Sequence, residues 1–116
     1  MAEIVPDKGD LVYLNFNPQT GSEQAGHRPA IVLSPKLFNS WKFAIVCPIT
    51  NQIKGYPFEV PVPEGLAICG VILTDQVRSI DWRARGLFIR DHVSDTITNK
   101  CLQLINTFLN FEFNDN

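Results

Sequence analysis

The sequence predicts an α+β protein in which a small, strongly bent antiparallel β-sheet or barrel is followed by a C-terminal amphipathic helix. Short runs rich in Val, Ile, Phe and Leu, bounded by Pro, Gly, Asn and Ser, occur between residues 11 and 90. Apolar residues recur at helical spacing only in the last third of the chain. Because no repeat, low-complexity tract or Ser/Gly linker divides the 116 residues, we expect a single domain over residues 1–116.

Six segments have the composition of β-strands. Residues 30–33 and 43–46 are continuous apolar runs rather than alternating ones, so we expect both faces of these strands to be covered. Pro29 can only open a strand, and Pro48 marks an edge or an end, because proline donates no hydrogen bond to a neighbouring strand. The predicted strands are residues 11–16, 29–34, 43–49, 58–62, 71–73 and 87–90.

The last third of the chain predicts one amphipathic helix. Ser94 is the expected N-cap, and Asp95 places an acidic side chain in the first turn, where it complements the helix dipole. The apolar positions follow the spacing i, i+4, i+7, i+8 and i+11, and they are Ile97, Cys101, Leu104, Ile105 and Phe108.

Composition excludes several classes of protein. Hydrophobic residues make up 45% and charged residues 19%, which argues against disorder. No apolar run approaches the ~20 residues of a membrane span and the N-terminus lacks the features of a signal peptide, so we expect a cytoplasmic protein without a membrane partner. The net charge of −2 excludes a uniformly basic nucleic-acid binder. Residues 27–90, however, carry eight Lys or Arg against four acids, which fits either a local phosphate site or scattered surface charge.

The sequence has no motif for a metal or cofactor. Cys47, Cys69 and Cys101 are odd in number and far apart, so we assign all three to the core rather than to disulfides or a metal site. His27 and His92 lack metal-ligand spacing, and no phosphate-binding glycine loop, nucleophile elbow or dinucleotide fingerprint occurs. We therefore expect no metal and no cofactor.

Two long polar connections, residues 17–28 and 51–57, are the places where function is expected. In the first, Glu23 and His27 are proton-transfer groups, and Arg28 is a bidentate ligand for phosphate oxygens. The alternative is a surface ion pair beside an exposed histidine. Thr50, at the end of a predicted strand, has a hydroxyl that suits a phosphate, but threonine is also common there for its β-propensity.

A third candidate segment, residues 75–86, contains three arginines and one tryptophan. Arginine interleaved with aromatic residues suits single-stranded nucleic acid, because bases stack on the rings and the charges follow the backbone. The alternative is a strand followed by a charged turn whose acids pair with its own arginines.

Four blocks of this sequence, in order, closely resemble the MazF/PemK family of toxin endoribonucleases. They are residues 5–12 (VPDKGDLV), 21–30 (GSEQAGHRPA), 54–60 (KGYPFEV) and 75–86 (DQVRSIDWRARG). Residues 87–116 share only the amphipathic helix, and the 111–116 tail matches nothing in the family pattern.

The resemblance implies an SH3-like barrel with a C-terminal helix that works as a homodimer. It implies a type II toxin that cleaves single-stranded RNA, mostly mRNA, at short sequences without a metal, and that a cognate antitoxin inhibits. Operator DNA would be a partner only through the complex with the antitoxin. In this chain, the resemblance places the catalytic residues of the family at Arg28, Thr50 and Glu23. It places the residues that bind substrate at Phe16, His27, Gln76 and Arg78.

Two questions stay open on the sequence alone. The general base is Glu23, His27 or Arg28: imidazole is best matched to neutral pH, whereas the resemblance favours Glu23 or Arg28. The alternative function is that of a non-enzymatic, CcdB-like toxin that poisons a protein such as DNA gyrase. The Trp-Gly-Ile C-terminus on which that family depends is missing here, where the sequence ends Phe113-Asn114-Asp115-Asn116. A third hypothesis is a catalytically inactive module that binds the antitoxin.

Overall fold

Seven antiparallel strands make one sheet in the computed structural model, which describes residues 3–17 and 26–110. The strand order is β4-β5-β3-β2-β1-β7, and β6 pairs with β3 outside this path. The strands are β1 Asp10–Asn15, β2 His27–Val32, β3 Phe43–Thr50, β4 Glu59–Pro61, β5 Val71–Leu73, β6 Arg78–Asp81 and β7 Phe88–His92. The helices are α1 Lys36–Asn39 and α2 Asp95–Leu109, and a 3-10 turn spans Thr74–Gln76.

The α+β prediction is confirmed, but the sheet is open rather than closed into a barrel. Among the described residues, β4 pairs only with β5 and β7 pairs only with β1, so these two strands form the ends of the sheet. The long strand β3 changes partner along its length. Its first half pairs with β6 from Phe43 to Val46, and its end pairs with β5 at Ile49 and Thr50.

Alternation along β1 and β2 places apolar side chains in two cores, one on each face of the sheet. The expected two-sided burial of residues 30–33 is confirmed, whereas the prediction for 43–46 is wrong at Phe43, which is 43% exposed. The core that contains α2 includes Leu11, Ile31, Cys47, Ile49, Ile72, Cys101 and Ile105. The opposite core includes Val12, Leu14, Ala30, Val32, Val46, Ile80 and Trp82.

The amphipathic helix is confirmed, and all five of its predicted apolar positions are buried or half-buried. Ser94 is the N-cap residue, although its side chain makes no capping hydrogen bond. In the part of the chain that the structure describes, no helix is long and apolar enough to cross a membrane.

Burial separates the three cysteines into two groups. Burial raises the pKa of the Cys47 thiol to about 12 and that of the Cys101 thiol to about 11. The assignment of Cys69 to the core is wrong, because this residue is exposed. It lies between buried Ile68 and half-buried Gly70 in the segment before β5, so apolar neighbours in sequence did not indicate the direction of its side chain.

Asn39, at the end of α1, is fully buried and joins three parts of the chain. Its Nδ2 donates to the backbone oxygens of Pro6 at 2.8 Å and Ser34 at 2.9 Å, and its Oδ1 accepts a hydrogen bond from the Ser34 hydroxyl. The indole N–H of Trp82 donates to the Asn39 backbone oxygen at 2.8 Å. These bonds hold the N-terminal segment, α1 and the end of β6 together.

Candidate active site

The pairing register of β2 and β3 brings Arg28 and Thr50 to the same place. Ala30 pairs with Pro48 in this antiparallel ladder. Continuing the register by two residues in each strand places Arg28 opposite Thr50. Because residues two apart on a strand point to the same face, both side chains share the face of Ala30 and Pro48. Two residues 22 positions apart in sequence are thus brought together by the hairpin-like pairing of two strands.

A cavity of about 530 Å³ opens where these side chains meet. We call it the Arg28 cavity. It brings together five of the seven site residues predicted from the sequence. Its lining consists of Phe16, Arg28, Pro48, Ile49, Thr50, Leu73, Gln76, Val77 and Arg78.

Charge and aromatic surface lie side by side in the Arg28 cavity. The guanidinium carbon of Arg78 is 5.4 Å from the centroid of the Phe16 ring, a cation–π contact. Arg28, an exposed residue, supplies a second guanidinium. Two planar cations beside an aromatic ring provide ligands for phosphate oxygens and a stacking surface for a base.

The Thr50 hydroxyl already has an acceptor role within the protein. Its Oγ1 accepts a hydrogen bond from the backbone N–H of Gln52 at 3.1 Å. A hydroxyl has one proton and two lone pairs, so this bond leaves the Thr50 proton to donate to a bound group. The same bond holds the first turn of the 51–57 loop against the end of β3.

A second cavity of about 230 Å³, which we call the loop cavity, adjoins the first and shares Thr50, Leu73 and Gln76 with it. The 51–57 loop contributes Lys54 and Tyr56 to its lining, two residues that the sequence analysis did not place in the site. Their position in the 54–60 block and in a long polar loop was the available signal. The remaining lining residues are Gln52, Glu59 and Asp75.

His27 lies apart from both cavities. As the neighbour of Arg28 in β2, it points to the opposite face of the sheet, where its ring centroid is 5.9 Å from that of Phe88. Phe88 in turn stacks on Tyr13 at 5.6 Å. The sequence analysis predicted that Glu23, His27 and Arg28 form one constellation. His27 and Arg28 instead lie on opposite faces of the sheet, and Glu23 lies outside the described residues.

The described residues offer no ready-made metal centre. Over residues 3–17 and 26–110, no three His, Cys, Asp or Glu side chains are grouped so that they could hold a metal ion. The chemistry that the Arg28 cavity can supply directly is hydrogen-bond donation and positive charge.

Comparisons with known proteins agree on one family. The family model for the PemK-like, MazF-like toxin of type II toxin–antitoxin systems matches residues 7–109. The Endoribonuclease toxin MazF of Escherichia coli K12 is 50% identical over 111 residues, which are 95% of this chain and 96% of that protein. The Endoribonuclease PemK of Escherichia coli is 32% identical, with coverage of 89% and 81%.

Solved structures show the same likeness. Crystalline MazF (Form-I) from Deinococcus radiodurans matches with a TM-score of 0.84 at 42% identity, over 94% of this chain and all of that one. The MazE–MazF complex (Form-II) from the same organism matches with a TM-score of 0.83 at 37% identity, over 95% of this chain and 100% of the matched chain.

Proposed function

The chain belongs to the PemK-like, MazF-like family of toxins of type II toxin–antitoxin systems, and from this premise we propose that it is an endoribonuclease that cleaves single-stranded RNA at specific sequences. The observation that carries the proposal is the meeting of Arg28 and Thr50 in one cavity, beside Phe16 and Arg78. The family expected from the four sequence blocks is confirmed by the family model that matches residues 7–109.

The cleavage chemistry uses a nucleophile that the substrate itself supplies. The ribose 2′-oxygen loses its proton to a base and attacks the adjacent phosphorus. The bond from phosphorus to the 5′-oxygen of the next nucleotide breaks, and that oxygen takes up a proton. The products are a 2′,3′-cyclic phosphate and a 5′-hydroxyl. Because the nucleophile is internal and the products need no external water, the reaction can proceed without a metal-activated hydroxide.

Arg28 and Thr50 are the proposed catalytic donors. In the transition state, negative charge grows on the nonbridging oxygens of phosphorus, and a guanidinium places two N–H donors and a full positive charge beside them. The Thr50 hydroxyl proton adds a third donor. Donors held in place before the reaction stabilise this charge more than water does, since they pay no reorganisation cost.

We propose Glu23 as the base that removes the 2′-proton. His27 faces the opposite side of β2 from Arg28, which disfavours it for a phosphodiester bound in the Arg28 cavity. A guanidinium stays protonated near neutral pH and is a poor proton acceptor. A carboxylate is ionised near neutral pH and can accept a proton, and the family resemblance assigns Glu23 a catalytic place.

Substrate binding is proposed to follow the two adjoining cavities. Phe16 and Tyr56 offer rings on which bases can stack, Arg78 and Lys54 offer charges for the phosphates, and Gln76 can read a base edge. His27, on the far face, is the weakest of the predicted substrate-binding positions. The RNA must be single-stranded, because base pairing hides both the stacking surfaces and the edges that specify sequence.

We also propose a homodimer and inhibition by a cognate antitoxin. Four large apolar side chains on α1, the segment after it and the first residue of β3 are exposed, with Leu37 at 80% and Trp41 at 84%, and such a patch suits a partner surface. Solved relatives include MazE–MazF complexes. An acidic, apolar antitoxin segment would compete with RNA for the two cavities, and operator DNA would be bound only through that complex in the cytoplasm.

Purified protein in EDTA, incubated with a long unstructured RNA and with DNA of the same sequence, tests the proposal. Mapping of the ends by sequencing should reveal discrete cuts in RNA alone. Arg28→Ala should slow them by at least about 10²-fold. The matched control Arg90→Ala removes an exposed arginine on β7 and should cut normally. Absence of cuts by the folded protein would reject the nuclease and favour a non-enzymatic toxin that acts on a protein such as gyrase.

A further inference from the structure

The 51–57 loop has little packing to hold its shape. All seven of its residues are exposed, and the loop lies between β3 and β4 without a strand of its own. Gly55 at its tip has a φ of +77°, a left-handed conformation that lets the chain reverse direction. With few buried contacts, hydrogen bonds of the loop backbone are the main restraint on its conformation.

Glu59, at the start of β4, provides most of that restraint. Its Oε2 accepts a hydrogen bond from the backbone N–H of Lys54 at 3.1 Å, and its Oε1 accepts one from the N–H of Gly55 at 3.0 Å. Its own backbone N–H donates to the Tyr56 oxygen at 3.1 Å. One carboxylate therefore engages two successive amides, and hydrogen bonds to a charged acceptor are stronger than neutral ones.

The restrained loop presents a cation and a ring to the loop cavity. The Lys54 ammonium lies 5.9 Å from the centroid of the Tyr56 ring, and both side chains line the cavity next to Thr50. A carboxylate in such a place would by itself repel RNA phosphates. Glu59 also lines this cavity, but both of its oxygens accept hydrogen bonds from backbone amides, which offset part of its negative charge.

We propose that Glu59 is a positioning residue for RNA binding: it fixes the 51–57 loop so that Lys54 and Tyr56 hold the nucleotide next to the scissile phosphate. This inference rests on the proposed ribonuclease function. Because Glu59 acts on binding and touches no reacting atom, its loss should raise KM while kcat stays near the wild-type value.

A graded pair of variants tests the role. Glu59→Ala removes both acceptors, whereas Glu59→Gln keeps one carbonyl oxygen and replaces the other with a donor that cannot accept. We expect KM for a short RNA to rise about tenfold in Glu59→Ala, which corresponds to about 1.4 kcal/mol, with Glu59→Gln in between. The matched control is Glu64→Ala, which removes an exposed acid that lines neither cavity and should leave KM unchanged.

Amide hydrogen exchange gives a second readout that needs no RNA. In the wild-type protein, the amides of Lys54 and Gly55 should be protected, and in Glu59→Ala they should exchange at least about tenfold faster while strand amides keep their protection. Wild-type KM in Glu59→Ala, or a fall in kcat alone, would overturn the inference while the nuclease stands. A wild-type protein that neither binds nor cuts RNA would overturn both proposals.

Discussion

Replacing Thr50 with Val removes one hydroxyl and keeps the branched shape of the side chain. The structural cost can be worked out from a single hydrogen bond. Thr50 Oγ1 accepts from the Gln52 amide at 3.1 Å, and Gln52 is exposed, so water can take over as acceptor in the variant. Loss of the bond should lower the free energy of unfolding by about 0.5–1.5 kcal/mol. A domain with an ordinary stability of about 5–15 kcal/mol therefore stays folded.

The catalytic cost of Thr50→Val is expected to be larger than the structural one. A donor that is held in place for the transition state contributes about 2.7–4 kcal/mol, so cleavage of a short RNA under single-turnover conditions should slow by about 10²–10³-fold. KM should stay near the wild-type value, because the hydroxyl acts mainly where charge develops. Thr50→Ser keeps the hydroxyl and is the matched variant; it should retain most of the rate.

Two results would refute this reasoning. If Thr50→Val cleaves within about threefold of the wild-type rate, the hydroxyl does not stabilise the transition state. If Thr50→Val and Thr50→Ser lose the same activity, the side chain acts by its shape and not by its proton. A denaturant titration of each variant shows whether the fold is intact.

Three further predictions concern the fold. Asn39→Ala removes three side-chain hydrogen bonds and leaves two buried backbone oxygens without their donor, so urea denaturation should show a loss of about 3–5 kcal/mol. For Asp7, hydrogen bonds from the backbone N–H groups of Lys36 and Lys8 lower the carboxyl pKa below its ordinary value of 3.8. Its charge should therefore stabilise the fold above the ordinary pKa of 3.8, and the advantage over Asp7→Asn should shrink as the pH falls below that value. For the thiols, iodoacetamide at mildly alkaline pH should label exposed Cys69 in the native protein, and mass spectrometry should detect labelled Cys47 and Cys101 only after unfolding.

Each of these predictions has a contradicting outcome. Wild-type stability of Asn39→Ala would mean that water replaces the lost donors in a site that is closed to solvent. A difference between wild type and Asp7→Asn that stays constant with pH would show that the carboxylate charge is not what the two amides bind. Native labelling of Cys47 at the rate of Cys69 would mean that the core opens readily.

The proximity of Arg28 and Thr50 can be predicted from the sequence. Both residues lie at the ends of strongly apolar runs, and antiparallel pairing of those runs brings their ends together. The same alternation that joins them separates His27 from Arg28, a consequence that a purely local reading of residues 23–28 overlooks. The position of Tyr56 and Lys54 in the site depends on how the 51–57 loop folds back on Glu59. The spacing of apolar residues in the sequence does not predict such a turn.

Elements that form only through tertiary contacts could not be predicted from the sequence patterns. Strand β6 has only one fully buried apolar side chain, Ile80, and owes its extended form to pairing with β3. Helix α1 is four residues long, which is too short to show a helical period. The choice between an open sheet and a closed barrel depends on whether β4 and β7 meet, and their own residues carry no signal for that.

The central claim is that the protein cleaves RNA through the ribose 2′-hydroxyl of its substrate, and one substrate tests it. Once the cut site is mapped, the same oligonucleotide is made with a single 2′-deoxyribose on the 5′ side of the scissile phosphate. We expect this substrate to bind with nearly unchanged affinity and to resist cleavage, while the all-RNA control yields a 2′,3′-cyclic phosphate and a 5′-hydroxyl. Cleavage of the 2′-deoxy substrate at the same bond would contradict the account.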